Sequence, residues 1–178
     1  TLTFEVVEVG SSIGLRRVAQ GVDDLASAWK SGWNRQKVLD LPKGSRPNPS
    51  TYLDQSYINN HITQFNGGVT KFSSNIPAGS VGPPSGTFVM PKSQADALIQ
   101  QAGGDVSKLE DLLGLNRGDL GTNPIRIDVP NPSGLRMPDG NELGVNAQWL
   151  PGGKTSGGIN EATVNQIQPG TYTTKSVF

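Results

Sequence analysis

Glu161-Ala162-Thr163-Val164-Asn165-Gln166-Ile167 is separated by Gln168-Pro169-Gly170 from Thr171-Tyr172-Thr173-Thr174-Lys175-Ser176-Val177-Phe178. Both runs are rich in threonine and valine, residues that suit a pleated, half-buried surface, so they read as closing strands. Their short, hairpin-like spacing favours antiparallel pairing. Working backwards, 125–129, 86–90 and 69–73 are further apolar runs of strand length, and 135–137 is a short extended piece. A helical pair is inserted among them. Ser93 starts the first member, with Ala95, Leu98 and Ile99 on one side, and Gly103-Gly104 interrupts it. Asp105 caps the second, with Val106, Leu109, Leu112 and Leu113 inside, and Gly114 stops it. Upstream, Asp54 caps a helix from Gln55 to about Phe65, with Ile58, Ile62 and Phe65 on its apolar face and His61 beside that face. Helices first, then strands around one helical pair, predict an α+β fold. Its N-terminal helices pack on a small antiparallel sheet, with long Gly/Pro-rich loops.

The N-terminal part is expected to form a strand at 4–9 and a helix from Ser11 or Ser12 to about Leu39. Ile13, Val18, Val22, Leu25, Ala26, Trp29 and Trp33 recur on one face of that helix. Trp29 and Trp33 read as packing residues. Pro42, Pro47 and Pro49 then fall within ten residues, a stretch that cannot continue a helix. This linker divides a helical lead, 1–41, from the main domain, 42–178.

The chain has 178 residues, 34% of them hydrophobic, so one domain with a modest core is expected. Glycine and proline make up about a fifth of it, which forecasts many turns. The 15 basic and 15 acidic residues cancel, so no whole-chain field draws it to nucleic acid. Cysteine is absent and histidine occurs once, which excludes disulfides, thiolate chemistry and multi-histidine metal sites. No apolar run approaches the length of a bilayer span. The opening Thr1-Leu2-Thr3-Phe4 carries neither an initiator methionine nor a charged signal region and reads as an internal boundary.

Polar residues concentrate between Arg136 and Glu161, where seven glycines lie from Gly134 to Gly158. Such a loop admits a ligand close to the backbone, and its N–H groups can form an anion nest. Lys154, Thr155 and Ser156 add a cation and two hydroxyls. An irregular surface loop with Trp149 tucked into the core is the plain alternative. Gly153-Lys154-Thr155 lacks the earlier glycine of a nucleotide-binding P-loop, since Gln148 stands there. His61, the sole imidazole, is either a general acid/base or a half-buried helix histidine. Glu142, after an Asp-Gly-Asn turn, and Glu161, at the mouth of a strand, are candidate carboxylates or solvated charges. Arg136 and Lys71 are possible phosphate partners.

The stretches Leu41-Pro42-Lys43-Gly44-Ser45-Arg46-Pro47, Gly86-Thr87-Phe88-Val89-Met90-Pro91-Lys92, Leu135-Arg136-Met137-Pro138-Asp139-Gly140-Asn141-Glu142 and Gln148-Trp149-Leu150-Pro151-Gly152-Gly153-Lys154-Thr155-Ser156-Gly157-Gly158 resemble a C-terminal module of contact-dependent and polymorphic bacterial toxins of the filamentous-haemagglutinin-like kind. The resemblance implies part of a larger secreted or cell-surface bacterial protein, delivered into the cytoplasm of a neighbouring cell and neutralised by a cognate immunity protein. It also implies enzyme activity, frequently a ribonuclease acting on tRNA.

A metal-independent ribonuclease without cofactor would use His61 for acid/base work and Glu142 as second proton carrier. Lys154, Thr155 and Ser156 would hold the phosphate. Lys71, Arg136, Asn141, Gln148, Trp149 and Glu161 would contact the substrate, with Trp149 stacking on a base. The alternative is an NAD-consuming toxin, a glycohydrolase or ADP-ribosyltransferase. Glu161 would then stand beside a mobile loop and Ser73-Ser74 on an earlier strand, although a complete Arg, Ser-Thr-Ser and Glu-x-Glu set is missing. A non-catalytic interaction or delivery module is the third reading, above all for residues 1–40.

Overall fold

Val69–Ser73 (β1) lies at the centre of a five-stranded antiparallel sheet, in the order β4-β2-β1-β3-β5. Its neighbours are β2 (Thr87–Pro91) and β3 (Ile125–Val129), and the edges are β4 (Ala162–Val164) and β5 (Thr173–Ser176). Val69 stands opposite Pro91 on one side and Val129 on the other. The computed structural model describes residues 25–178. The expected strand at 4–9 and the helix start at Ser11 or Ser12 lie outside these described residues.

Alternation along the strands divides the residues between two faces. Val69, Val89, Ile127, Val129, Ala162 and Val164 face one core, closed by Phe65, Val81 and Ile167. Thr70, Phe88, Arg126, Asp128 and Thr163 fall on the other face. There α3 (Lys92–Ala102) and α4 (Val106–Leu113) are docked. Buried Arg126 makes an ion pair with Asp96 of α3 at 2.8 Å and with Asp128 at 2.9 Å, while Thr70 donates to Asp128 at 2.6 Å. The two helices separate where the sequence predicts. Gly103 (φ 61°) and Gly114 (φ 72°) end them in the left-handed region, and the Asp105 side chain accepts from the Lys108 amide.

The two C-terminal runs do not pair with each other. β4 pairs with β2 and β5 with β3, at opposite edges of the sheet. The connecting segment crosses the sheet because its apolar residues belong inside. Ile167 is buried in the core and bridges Val81, and the Tyr172 hydroxyl donates to the Gly79 carbonyl at 2.7 Å.

The long N-terminal helix is also broken where it is described. Residues 25–28 are helical, Trp29 bridges Leu53, and a turn with Gly32 at φ 84° leads to α1 (Arg35–Leu39). Asn34 caps that new start by accepting from the Lys37 amide at 2.8 Å. These elements pack on η1, the 3-10 turn Pro49–Thr51, and on α2 (Gln55–Thr63) in an aromatic cluster. Leu25, Ala28, Val38, Tyr52, Tyr57, Met137 and Trp149 share it, so residues on both sides of the expected boundary at 41–42 contribute. The Trp29 ring stacks on Tyr52 at 5.7 Å. The proline-rich segment between them is fastened down. Lys43 donates to the Leu143 and Val145 carbonyls, and the Asn141 side chain accepts from the Gly44 and Arg46 amides.

Candidate functional site

The glycine-rich loop is a hairpin. Lys154 bridges Asn160, Thr155 donates its amide to the Ile159 carbonyl, and Glu161 donates to Gly153 at 2.8 Å. A turn closed by the Gly158 amide on the Thr155 carbonyl forms the tip. The base is clamped by side chains from two helices. Tyr57 donates to the Gly152 carbonyl at 2.7 Å. Asn160 holds three partners: its amide donates to Gln94, its side-chain NH₂ to Gln64, and its side-chain oxygen accepts from Lys154.

His61 packs directly against this base. It is 2% exposed, its ring lies between Tyr57 and Phe65, and Nε2 is 2.8 Å from the Glu161 carbonyl oxygen. A carbonyl can only accept, so Nε2 carries the hydrogen. Nδ1 is buried without a partner. Burial, opposed by the bond to Glu161 and reinforced by the nearby Lys154 charge, holds the imidazole down at about 4. The ring is therefore neutral at physiological pH, and it does not reach the cleft described next.

A cleft of about 700 Å³ opens between the C-terminal end of α4 and the hairpin. Asp111, Leu113, Asn116 and Asp119 line one side, Gly144, Val145, Asn146, Gln148 and Trp149 another, and Thr155, Ser156, Gly157 and Ile159 bring in the hairpin. Phe88 of β2 and Glu161, the residue just before β4, complete it. Phe88 pairs with Thr163, and Glu161 lies two residues earlier, so strand alternation points all three to the same face. Burial and the neighbouring Glu142 carboxylate push the Glu161 carboxyl up to about 7. Glu142 is itself held in place: its two oxygens accept from the Asp139 and Gly140 amides at 3.0 Å, and the Thr163 hydroxyl reaches one of them at 3.3 Å. The described lining includes Asp111, Asp119 and Glu161 and no lysine or arginine.

Of the residues singled out from sequence, the cleft brings together Gln148, Trp149, Thr155, Ser156 and Glu161, with Glu142 close behind. It leaves others elsewhere. Lys154 is buried on Asn160. Lys71 donates to the Phe88 carbonyl at 2.8 Å, and burial holds its ammonium down at about 8. Arg136 is spent on the Gly134 and Ser85 carbonyls and Asn165, and Asn141 joins the 44–46 segment to its own loop. Ser73, the last residue of β1, donates to the Asn75 carbonyl and is not among the residues lining the cleft. Gln64, Gln94, Asn160, Phe88 and Thr163 shape the site without any signal in the sequence. Among the described residues no cluster of three or more His, Asp or Glu side chains could hold a metal ion. No helix among them is long and apolar enough to cross a membrane. No protein-family model matches this chain, and no curated protein matches it.

Proposed function

We propose that this chain is the effector domain of a bacterial toxin, and that its cleft cleaves the N-glycosidic bond of an oxidised nicotinamide dinucleotide with Glu161 as the reactive carboxylate. The toxin role rests on the sequence resemblance. So do delivery from a larger secreted or cell-surface protein into the target cytoplasm and a cognate immunity partner. The chemistry rests on one observation: Glu161 opens into a cleft at the edge of a strand, beside a hairpin tip, with its carboxyl raised to about 7 by burial and Glu142. A carboxylate tuned this close to neutrality exchanges protons readily.

In this reaction the bond from C1′ of the ribose to the nicotinamide nitrogen breaks. Nicotinamide leaves as a neutral molecule with the bonding electrons, and positive charge develops on the ribose. Water adds to C1′ and its proton passes to the Glu161 carboxylate. Carboxylates stabilise that developing cation; of the lining carboxylates Asp111 is paired with Arg117 at 3.1 Å, which leaves Glu161, with Glu142 behind it, and Asp119 to supply the negative field. Half-buried Phe88 offers apolar surface to the heterocycle, whereas Trp149, 7% exposed, belongs to the aromatic core behind the wall of the cleft. The Ser156 and Gly157 amides take no part in the hairpin's hydrogen bonds and, with the Thr155 and Ser156 hydroxyls, supply donors for the pyrophosphate.

Ribonuclease action on tRNA is the second reading. The same Glu161, placed beside those hydroxyls, is a base of the kind that 2′-hydroxyl attack requires. It has less support, because phosphate contacts dominate nucleic-acid affinity and the described residues lining the cleft include no lysine or arginine. Incubating the domain with NAD⁺ and with total tRNA, with and without EDTA, separates the two. Release of nicotinamide, insensitive to EDTA, is expected. Intact NAD⁺ with cleaved tRNA transfers the function to the second reading, and two intact substrates at high enzyme remove both.

A further inference from the structure

The proposed reaction gives the single imidazole no proton to carry. We infer that His61 is a positioning residue: a fixed hydrogen-bond donor that sets the hairpin 153–161, and with it Glu161, over the cleft. The inference rests on the reading of Glu161 as the reactive carboxylate.

One ring touches both strands of the hairpin. Nε2 binds the Glu161 carbonyl at 2.8 Å on the second strand. On the first, Gly153 approaches so closely that a Cβ there would lie 2.3 Å from the same nitrogen. The two strands are joined at this level by the Glu161 amide on the Gly153 carbonyl. The ring itself has nowhere to go. Tyr57 stacks on it at 6.3 Å and 13°, and Phe65 meets its edge at 5.3 Å. Both neighbours come from α2 and its immediate end, so the helix is the ruler against which the hairpin is set. Glu161 consequently has both backbone groups engaged, its N–H with Gly153 and its C=O with His61. Only its side chain is left to enter the cleft.

The imidazole is suited to this use and unsuited to proton transfer. Nδ1 has no partner and His61 is 2% exposed, so a second proton would bury an uncompensated cation beside Lys154. The Nε2–H donor therefore persists throughout the physiological range. A glutamate moved by a fraction of an ångström loses its geometry with the reacting atom while the substrate still binds, which lowers kcat more than it raises KM.

The experiment compares His61→Phe, which keeps the ring volume without the donor, with His61→Gln, which keeps an amide donor, and with Glu161→Gln. Expected are a kcat for nicotinamide release lowered roughly 10- to 100-fold in His61→Phe, KM within about twofold, and substantial recovery in His61→Gln. The inflection of the pH–rate profile near 7, set by Glu161 through its burial and its charged neighbour Glu142, stays in place in both variants. Wild-type kcat in His61→Phe overturns the inference, as does loss of that inflection in His61→Gln. Full activity in Glu161→Gln instead overturns the functional reading beneath it. Nitrogen-15 NMR of the wild-type ring needs no variant to fold. A neutral Nε2–H tautomer from pH 8 down to about 5 is expected, and an imidazolium at pH 6 overturns the positioning role.

Discussion

Gly153→Ala tests how the hairpin is seated. Gly153 has φ 78°, a conformation that costs an L-residue about 1–2 kcal/mol. The new methyl would stand 2.3 Å from His61 Nε2 and 2.7 Å from Cε1, and these are atoms of a rigid ring held between Tyr57 and Phe65. Relief requires the hairpin to move off α2, which breaks the bond to the Glu161 carbonyl, a loss of about 1 kcal/mol, and leaves overpacking strain of about 1–3 kcal/mol. The contributions add to roughly 3–6 kcal/mol, a large share of the stability of a domain this size. Urea unfolding followed by tryptophan fluorescence measures it as a lowered midpoint at unchanged slope. Gly157→Ala is the internal control. Its nearest neighbour is the Thr155 hydroxyl oxygen at 3.8 Å and its φ is not positive, so a change within about 0.5 kcal/mol is expected. A Gly153→Ala loss below about 1 kcal/mol, or one matched by Gly157→Ala, would refute the reasoning.

Glu161→Gln should stabilise the fold at pH 8 by about 3 kcal/mol. The carboxyl is raised from 4.5 to about 7, so the folded state holds its proton more tightly than the unfolded chain, and stability falls as pH rises through that window. The gain should vanish below about pH 4.5, and thermal unfolding across pH 4 to 8 checks both ends. Arg126→Ala should cost about 3–5 kcal/mol, because it strips the charged partner from Asp128, which is 8% exposed and is left with the Thr70 hydroxyl, and frees α3 at Asp96. Denaturant titration reads this loss. Tyr57→Phe removes the 2.7 Å bond to the Gly152 carbonyl and should cost about 1–2 kcal/mol, with faster hydrogen exchange at the Glu161 amide.

The central strands were legible because local chemistry alone specifies them. The runs at 69–73 and 125–129 form strands with the same bounds as the sequence pattern, and Gly103, Asp105 and Gly114 punctuate the helical pair. Strand order was not legible. Whether β4 and β5 meet or part depends on Ile167 and Tyr172 finding places across the sheet, a tertiary contact that spacing does not encode. The long helix failed at 29–34 because an apolar periodicity cannot report that Trp29 is claimed by Leu53 and that Asn34 offers a competing cap. At the site, Glu161 after the glycine-rich loop could be read from turn and strand signals. The burial of His61 could not. The pattern Ile58, Ile62, Phe65 placed it beside the apolar face, whereas α2 is rotated so that Tyr57 and His61 are its buried residues. Gln64, Gln94 and Asn160 are polar residues on ordinary surfaces, and only the folded hairpin gives them a common task.

Nicotinamide release from NAD⁺, measured side by side for the wild-type chain and for Glu161→Gln with folding checked by circular dichroism, bears on the carboxylate most directly. The wild type should release nicotinamide, and the variant should do so at least about 100-fold more slowly while remaining folded. Equal rates in the two proteins, or no release from the wild type at high concentration, would contradict a cleft built around Glu161.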